Sequence, residues 1–214
     1  MITPVPFYYL RHGETDWNLQ RRMQGRSDVP LNETGIAQAH AAKSLLTGLE
    51  IQTVCTSPLA RARDTAEIVN QTLGCPVVTI DDLAECSFGD YEGEFYGDWV
   101  AAWRRGDPLP GAEPYDAFLA RSVAGINRAL THEGPVLIVA HGGVYWAVQH
   151  HGRIDPTGRS RTVCRSGTSR RPTIFPAGRP RLSPEPHRRR PIAPLSTKLL
   201  VGSTALSGAG CATI

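Results

Sequence analysis

At 214 residues and a formal net charge of +3, the chain is long enough to bury one α/β core and marginal for two domains. Its five cysteines are odd in number and scattered, without a C-x-x-C pair, which argues against a disulfide framework or a structural zinc site and suits a reducing compartment. No run approaches the roughly 18 apolar residues of a membrane span and no basic-then-apolar leader opens the chain, so a soluble, cytoplasmic protein is expected.

Pro6–Leu10 has the apolar character of a short buried strand, and it gives out into Arg11-His12-Gly13 and an acidic, polar loop. A His and an Arg side by side at a strand end sit where an open α/β sheet meets its ligands. Asn32-Glu33-Thr34-Gly35 predicts a capped helix start, running to about Leu46 with Gly48 as its stop. Ile51–Thr56 reads as a second strand, and Pro58 suits the first turn of a helix that reaches about Leu73 before Gly74-Cys75-Pro76 breaks it. Val77–Ile80 is a third strand, followed by a loop rich in Gly, acids and aromatics. Leu119, Val123, Ile126 and Leu130 share one helical face, and Gly134-Pro135 ends that helix. Val136–Ala140 is a fully apolar strand of parallel-sheet character, followed by His141-Gly142-Gly143 and a helix from Val144 to about Gln149. Strands alternating with helices imply a layered α/β domain with a mainly parallel sheet.

The net charge conceals two unlike parts. Residues 1–151 hold 11 Lys and Arg against 18 Asp and Glu, a net of −7, whereas residues 152–214 hold 12 against 2, a net of +10. The second part contains 8 of the 17 prolines, and Leu, Ile, Val and Phe make up only 12 of its 63 residues, a composition unable to bury a core. The expected division is a catalytic domain at 1–151 and an atypical segment at 152–214, either a disordered basic tail or text translated out of frame. A nucleic-acid-binding arm is disfavoured because Phe175 is the segment's only aromatic residue.

Removing a phosphoryl group needs a nucleophile, positive charge around three phosphate oxygens, and an acid for the leaving oxygen. His12 is the candidate nucleophile. Arg11 and Arg61 carry guanidinium groups matched to phosphate oxygens, and nearby cations favour a neutral imidazole. His141 is a candidate donor to the phosphoryl oxygens, and Gly142 and Gly143 allow close backbone approach at a helix start whose N–H groups suit an anion. Glu85, a carboxyl near Phe88 and Tyr91, is the candidate proton donor, since apolar surroundings favour the proton-bearing form.

The succession LRHGETDWN, MQGRSDVPLNETGIAQA, SPLARARDTA, LAECSFGDYEG and VAHGG resembles the histidine phosphatase superfamily, whose founders include the cofactor-dependent phosphoglycerate mutases. The resemblance covers roughly residues 5–150. It implies a three-layer sandwich, a mainly parallel central sheet with helices on both faces. It also implies that His12 is phosphorylated, that Arg11, Arg61 and His141 form the phosphate pocket, and that Glu85 acts as acid and then as base. Asn18 matches a polar phosphate contact, and Gln24-Gly25 matches a loop that touches substrate. Neither a metal nor another cofactor is implied.

Taken singly, His141 reads as a structural histidine, Glu85 as a solvated loop carboxylate and Arg61 as a helix-surface charge; only their joint order favours a site. Arg63 keeps the surface reading, two residues from Arg61 and on a different face. His150-His151 reads as a solvent-exposed pair rather than a metal site, and Arg104-Arg105 as a solvated helix end in preference to a faint resemblance, after Trp103, to the mutases' paired arginines that grip a substrate carboxylate. Between Glu85 and His141 lie 55 residues, fewer than the mutases carry there, and acidic groups at 90, 92, 94 and 98 would repel a second polyanion. The expectation is a phosphomonoester phosphatase acting on a small phosphorylated metabolite, with a mutase, or an inactive relative with a defective C-terminus, as alternatives. Oligomeric state leaves no signal in the sequence.

Overall fold

The computed structural model describes residues 1–151 and 199–202. The strands are β1 (Phe7–Arg11), β2 (Thr53–Thr56), β3 (Val77–Thr79), β4 (Val136–Ala140) and β5 (Leu199–Gly202), in the spatial order β3-β2-β4-β1-β5. β1 to β4 pair in parallel, and β5 runs antiparallel to β1. The helices are α1 (Asp16–Leu19), α2 (Glu33–Leu46), α3 (Ala60–Leu73), α4 (Asp98–Arg104), α5 (Tyr115–Ala129) and α6 (Gly142–His151).

The two-residue period of the strands sorts their side chains into two cores. Phe7, Tyr9, Cys55, Val136, Ile138 and Ala140 face one side, where they meet Phe118, Ile126, Val144 and Ala147 of α5 and α6 together with Trp103 of α4. Leu10, Val54, Leu137 and Val139 face the other, against Ala42 and Leu46 of α2 and Ala66 and Val69 of α3. Every residue of β2 and β4 is buried, as strands covered on both faces must be. The layered sandwich expected from the sequence is the observed architecture.

Parallel pairing also brings three strand ends into line. Arg11 is in register with Ala140, and one residue further the His12 N–H donates to the Ala140 carbonyl at 3.0 Å. On the other side of β4 the Ser57 N–H donates to the Val139 carbonyl at 3.1 Å. His12, His141 and Ser57 therefore follow adjacent strands at one edge of the sheet, where open α/β sheets bind ligands.

Several elements differ from expectation. The acidic loop after Gly13 holds a short helix, α1, closed by a capping box in which Thr15 and Asn18 exchange side-chain bonds. α4 interrupts the aromatic loop and inserts Trp103 into the core, its Nε1–H donating to the Glu113 carbonyl at 2.8 Å. α3 starts at Ala60 rather than Pro58, and Asp28 Oδ1 accepts the Ala60 N–H at 2.7 Å in place of a local cap. α6 begins at Gly142, not Val144. Residues 152–198 and 203–214 lie outside the described residues, so the readings of that segment as disordered or out of frame do too. The segment nevertheless contributes β5, paired with β1.

Candidate active site

An open pocket at this sheet edge is walled by Arg11, His12, Asn18, Gln24, Gly25, Arg61, Glu85 and Gly142, with Met23, Phe88, Tyr96, Gly143 and Trp146. Of the residues singled out from the sequence, only His141 lies behind the wall. It is fully buried, and its ring centroid is 5.2 Å from that of His12.

His12 sits at the end of β1 with its Nδ1 2.7 Å from the Gly13 carbonyl oxygen. A carbonyl only accepts, so Nδ1 carries the proton and the lone pair belongs to Nε2. Burial, then the Arg11 and Arg61 guanidiniums, hold the imidazole well below its ordinary pKa, against the smaller opposing pull of the Gly13 bond. His141 is held low in the same way, by burial first and then by Arg61, His12 and Arg11. Both rings are thus neutral near pH 7.

Arg61 rises from the first turn of α3 and is only 1% exposed. Its Nη1 donates to the Ser27 carbonyl at 2.9 Å and its Nη2 to the Gly25 carbonyl at 2.8 Å, leaving Nε buried without a protein partner. The loop it grips is itself clamped. Glu92 accepts the backbone N–H of Arg26 (2.9 Å), Phe88 (3.1 Å) and Ser27 (2.8 Å) and the Ser27 hydroxyl (2.6 Å). Gly25 has φ +54°, and a Cβ there would run into the Glu92 carboxylate, so the position needs glycine twice over. Gln24 lies in this loop with its Oε1 buried and unpartnered. Asn18 uses Oδ1 on Thr15, which leaves its amide N–H groups for a ligand.

Glu85 presents its carboxylate at the pocket wall, where Oε1 accepts the Cys86 N–H at 2.9 Å and Oε2 the Gly143 N–H at 3.0 Å. A Cβ at Gly143 would collide with that carboxylate, whereas one at Gly142 would make only ordinary contact with Arg11. The Gly143 N–H at the start of α6 is thus already bonded to Glu85. Behind Glu85, Arg121 bonds the carbonyls of Asp82 and Ala84 at 3.0 Å and of Glu85 at 3.3 Å, with two 2.8 Å bonds to Glu113. Burial would raise the Glu113 carboxyl, but Arg121 holds it below its usual value.

Sequence reasoning missed Ser57, Glu92, Arg121, Tyr96 and Trp146. Arg104, expected to be solvated, stacks 3.8 Å above the Trp146 ring, and Arg105 pairs with Asp107 at 3.5 Å. His150 Nε2 lies 3.2 Å from the Tyr115 hydroxyl, and Arg63 is on the surface as expected. Glu92, counted among the groups that would repel a second polyanion, is turned onto the loop instead.

The model of the histidine phosphatase superfamily (branch 1) matches residues 7–164, most of the chain and thirteen residues beyond the boundary placed at 151. The chain belongs to that superfamily. It is 39% identical over 142 residues to the uncharacterized phosphatase PhoE of Bacillus subtilis, covering 65% of this chain and 72% of that protein. It is 34% identical over 147 residues to the probable phosphoglycerate mutase GpmB of Photorhabdus laumondii, covering 63% and 68%. The structure of a mycobacterial glucosyl-3-phosphoglycerate phosphatase with VO3 superposes with a TM-score of 0.63 at 31% identity, over 69% of this chain and 81% of that one.

Proposed function

We propose that this chain is a phosphomonoester phosphatase that hydrolyses a small phosphorylated metabolite through a phosphohistidine at His12, with residues 1–151 as the catalytic domain. The observation that carries this reading is the imidazole itself. With Nδ1 committed to Gly13, a neutral ring offers its lone pair at Nε2, in a pocket that holds two guanidiniums. Relatives named as phosphatases support hydrolysis, while the relative named as a probable mutase keeps transfer as the competing reading.

In this reading the phosphate dianion lies among Arg11, Arg61, Asn18 and His141, and Nε2 attacks phosphorus in line with the ester oxygen. The P–N bond forms as the P–O bond breaks, and Glu85 gives its proton to the departing alkoxide. Water then enters on the vacated side, loses a proton to Glu85 and attacks phosphorus. The P–N bond breaks, inorganic phosphate leaves and the neutral histidine returns. The guanidiniums stabilise charge on the equatorial oxygens throughout.

Transfer to a second phosphorylated alcohol, the mutase reaction, is the competing reading. The remaining walls, Met23, Phe88, Tyr96 and Trp146, carry no formal charge to hold a second polyanion, which favours water as the acceptor. The test is direct. The purified chain should hydrolyse p-nitrophenyl phosphate in the presence of a chelator, and should form no 2-phosphoglycerate from 3-phosphoglycerate plus 2,3-bisphosphoglycerate. Fast interconversion of the phosphoglycerates would make it a mutase. A panel of phosphorylated metabolites then identifies the alcohol.

A further inference from the structure

Ser57 and His141 are both fully buried, and Ser57 Oγ lies 2.6 Å from His141 Nε2. Ser57 is fixed just beyond β2, its N–H bonded to the Val139 carbonyl and its Oγ accepting the Leu59 N–H at 3.3 Å. A neutral imidazole allows two arrangements of the proton between Oγ and Nε2. If Nε2–H donates, the Ser57 hydroxyl proton has no acceptor and the Nδ1 lone pair has no donor, so two buried groups go unmet. If the hydroxyl donates, the ring proton sits on Nδ1 and that N–H alone is unmet; Nδ1 is buried and unpartnered in the structure. Each unmet buried group is destabilising, so the second arrangement prevails. The ring is held neutral by burial first and then by Arg61, His12 and Arg11.

We propose that Ser57 is a positioning residue whose hydroxyl, donating to His141 Nε2, fixes the ring proton on Nδ1 and so reserves one N–H donor for a phosphoryl oxygen. A chain of donors runs from Leu59 N–H through Ser57 O–H to His141, and only a ligand completes it. The value of this device for turnover rests on the phosphatase reading above; the proton's position does not.

The experiment is ¹⁵N NMR of the imidazoles in the full chain near pH 7, with the His141 signals assigned by their loss in His141→Asn, alongside kinetics on p-nitrophenyl phosphate. His141 is expected to be protonated at Nδ1 and unprotonated at Nε2. Ser57→Ala should redistribute that proton towards Nε2 and lower kcat/KM by about 10–100-fold, the loss typical when a group orienting a histidine is removed, and mostly in kcat. Ser57→Thr, which keeps a hydroxyl, should restore the wild-type tautomer. A wild-type proton on Nε2 would overturn the proposal, as would a Ser57→Ala protein that loses turnover with its tautomer unchanged, because that pattern belongs to packing. If the wild-type chain hydrolyses no phosphoester, the phosphatase reading fails while the spectrum still decides the proton.

Discussion

Glu85 should matter in proportion to how badly the leaving oxygen needs a proton. Glu85→Gln keeps the shape while removing the acid, its amide oxygen retaining one of the two N–H bonds that Glu85 accepts from Cys86 and Gly143. It is therefore expected to slow hydrolysis of alkyl phosphates by about 100–10,000-fold, and of p-nitrophenyl phosphate far less. Equal losses on both substrates would assign the acid elsewhere. Gly143→Ala probes the same carboxylate from behind. A methyl there must displace Glu85 and press on the buried Phe118 ring, so turnover should fall together with some thermal stability. The residues in these arguments were unequally legible. Arg11-His12, Arg61, Glu85 and His141 stand out because chemistry-bearing types recur at strand ends in a recognisable order. Ser57 does not, since a serine before a proline is ordinary turn text and its partner lies 84 residues away.

At the scale of elements, the pocket is a set of loops held by half-buried ionic groups. Glu92→Ala would leave three backbone N–H groups and a hydroxyl without their acceptor. It should cost about 2 kcal/mol in a denaturant titration and raise KM, because the freed loop supplies the carbonyls that hold Arg61. Arg121→Met strands Glu113 under α5 and should cost about 3 kcal/mol, more than replacing both partners by apolar residues. A double variant as unstable as the sum of the singles would contradict that coupling. Helix α5 was readable because its apolar face repeats over four turns. α1 is only four residues long and α4 only seven, too short for a period to declare itself, so α1 reads as loop and α4 shows only as a helix end at Arg104-Arg105. The α1 signal present was Thr15-x-x-Asn18, a capping box with Asn in place of the usual Glu or Gln.

Among the described residues, two buried neutral histidines sit at the seam of the sheet, and this sets a pH dependence. Both have native pKa values below those of the unfolded chain, where histidine titrates near 6.5. As pH falls below that value the unfolded state takes up protons that the native state refuses, so stability is full above about 6.5 and declines as the solution is acidified. Urea midpoints should drop between pH 7.5 and 5.5, and less steeply for His12→Asn; a midpoint flat across that range in the wild type would contradict the burial assigned to these rings. The central strands β2 and β4 were legible because each is short and covered on both faces, whereas β3, at the sheet's margin, is largely exposed. β5 was not legible, since Leu199–Gly202 is only four residues long and lies far along the chain from the other strands in a segment whose composition suits no core. Arg11, His12 and Arg61 line one pocket with His141 buried behind it, and the reaction proposed there has one covalent signature. The decisive measurement is to mix the chain with a phosphomonoester, quench at alkaline pH, where phosphohistidine survives, and locate the bound phosphoryl group by mass spectrometry. The account predicts it on His12, and neither label nor turnover in His12→Ala; a phosphoryl group on another residue, or full turnover without His12, would contradict it.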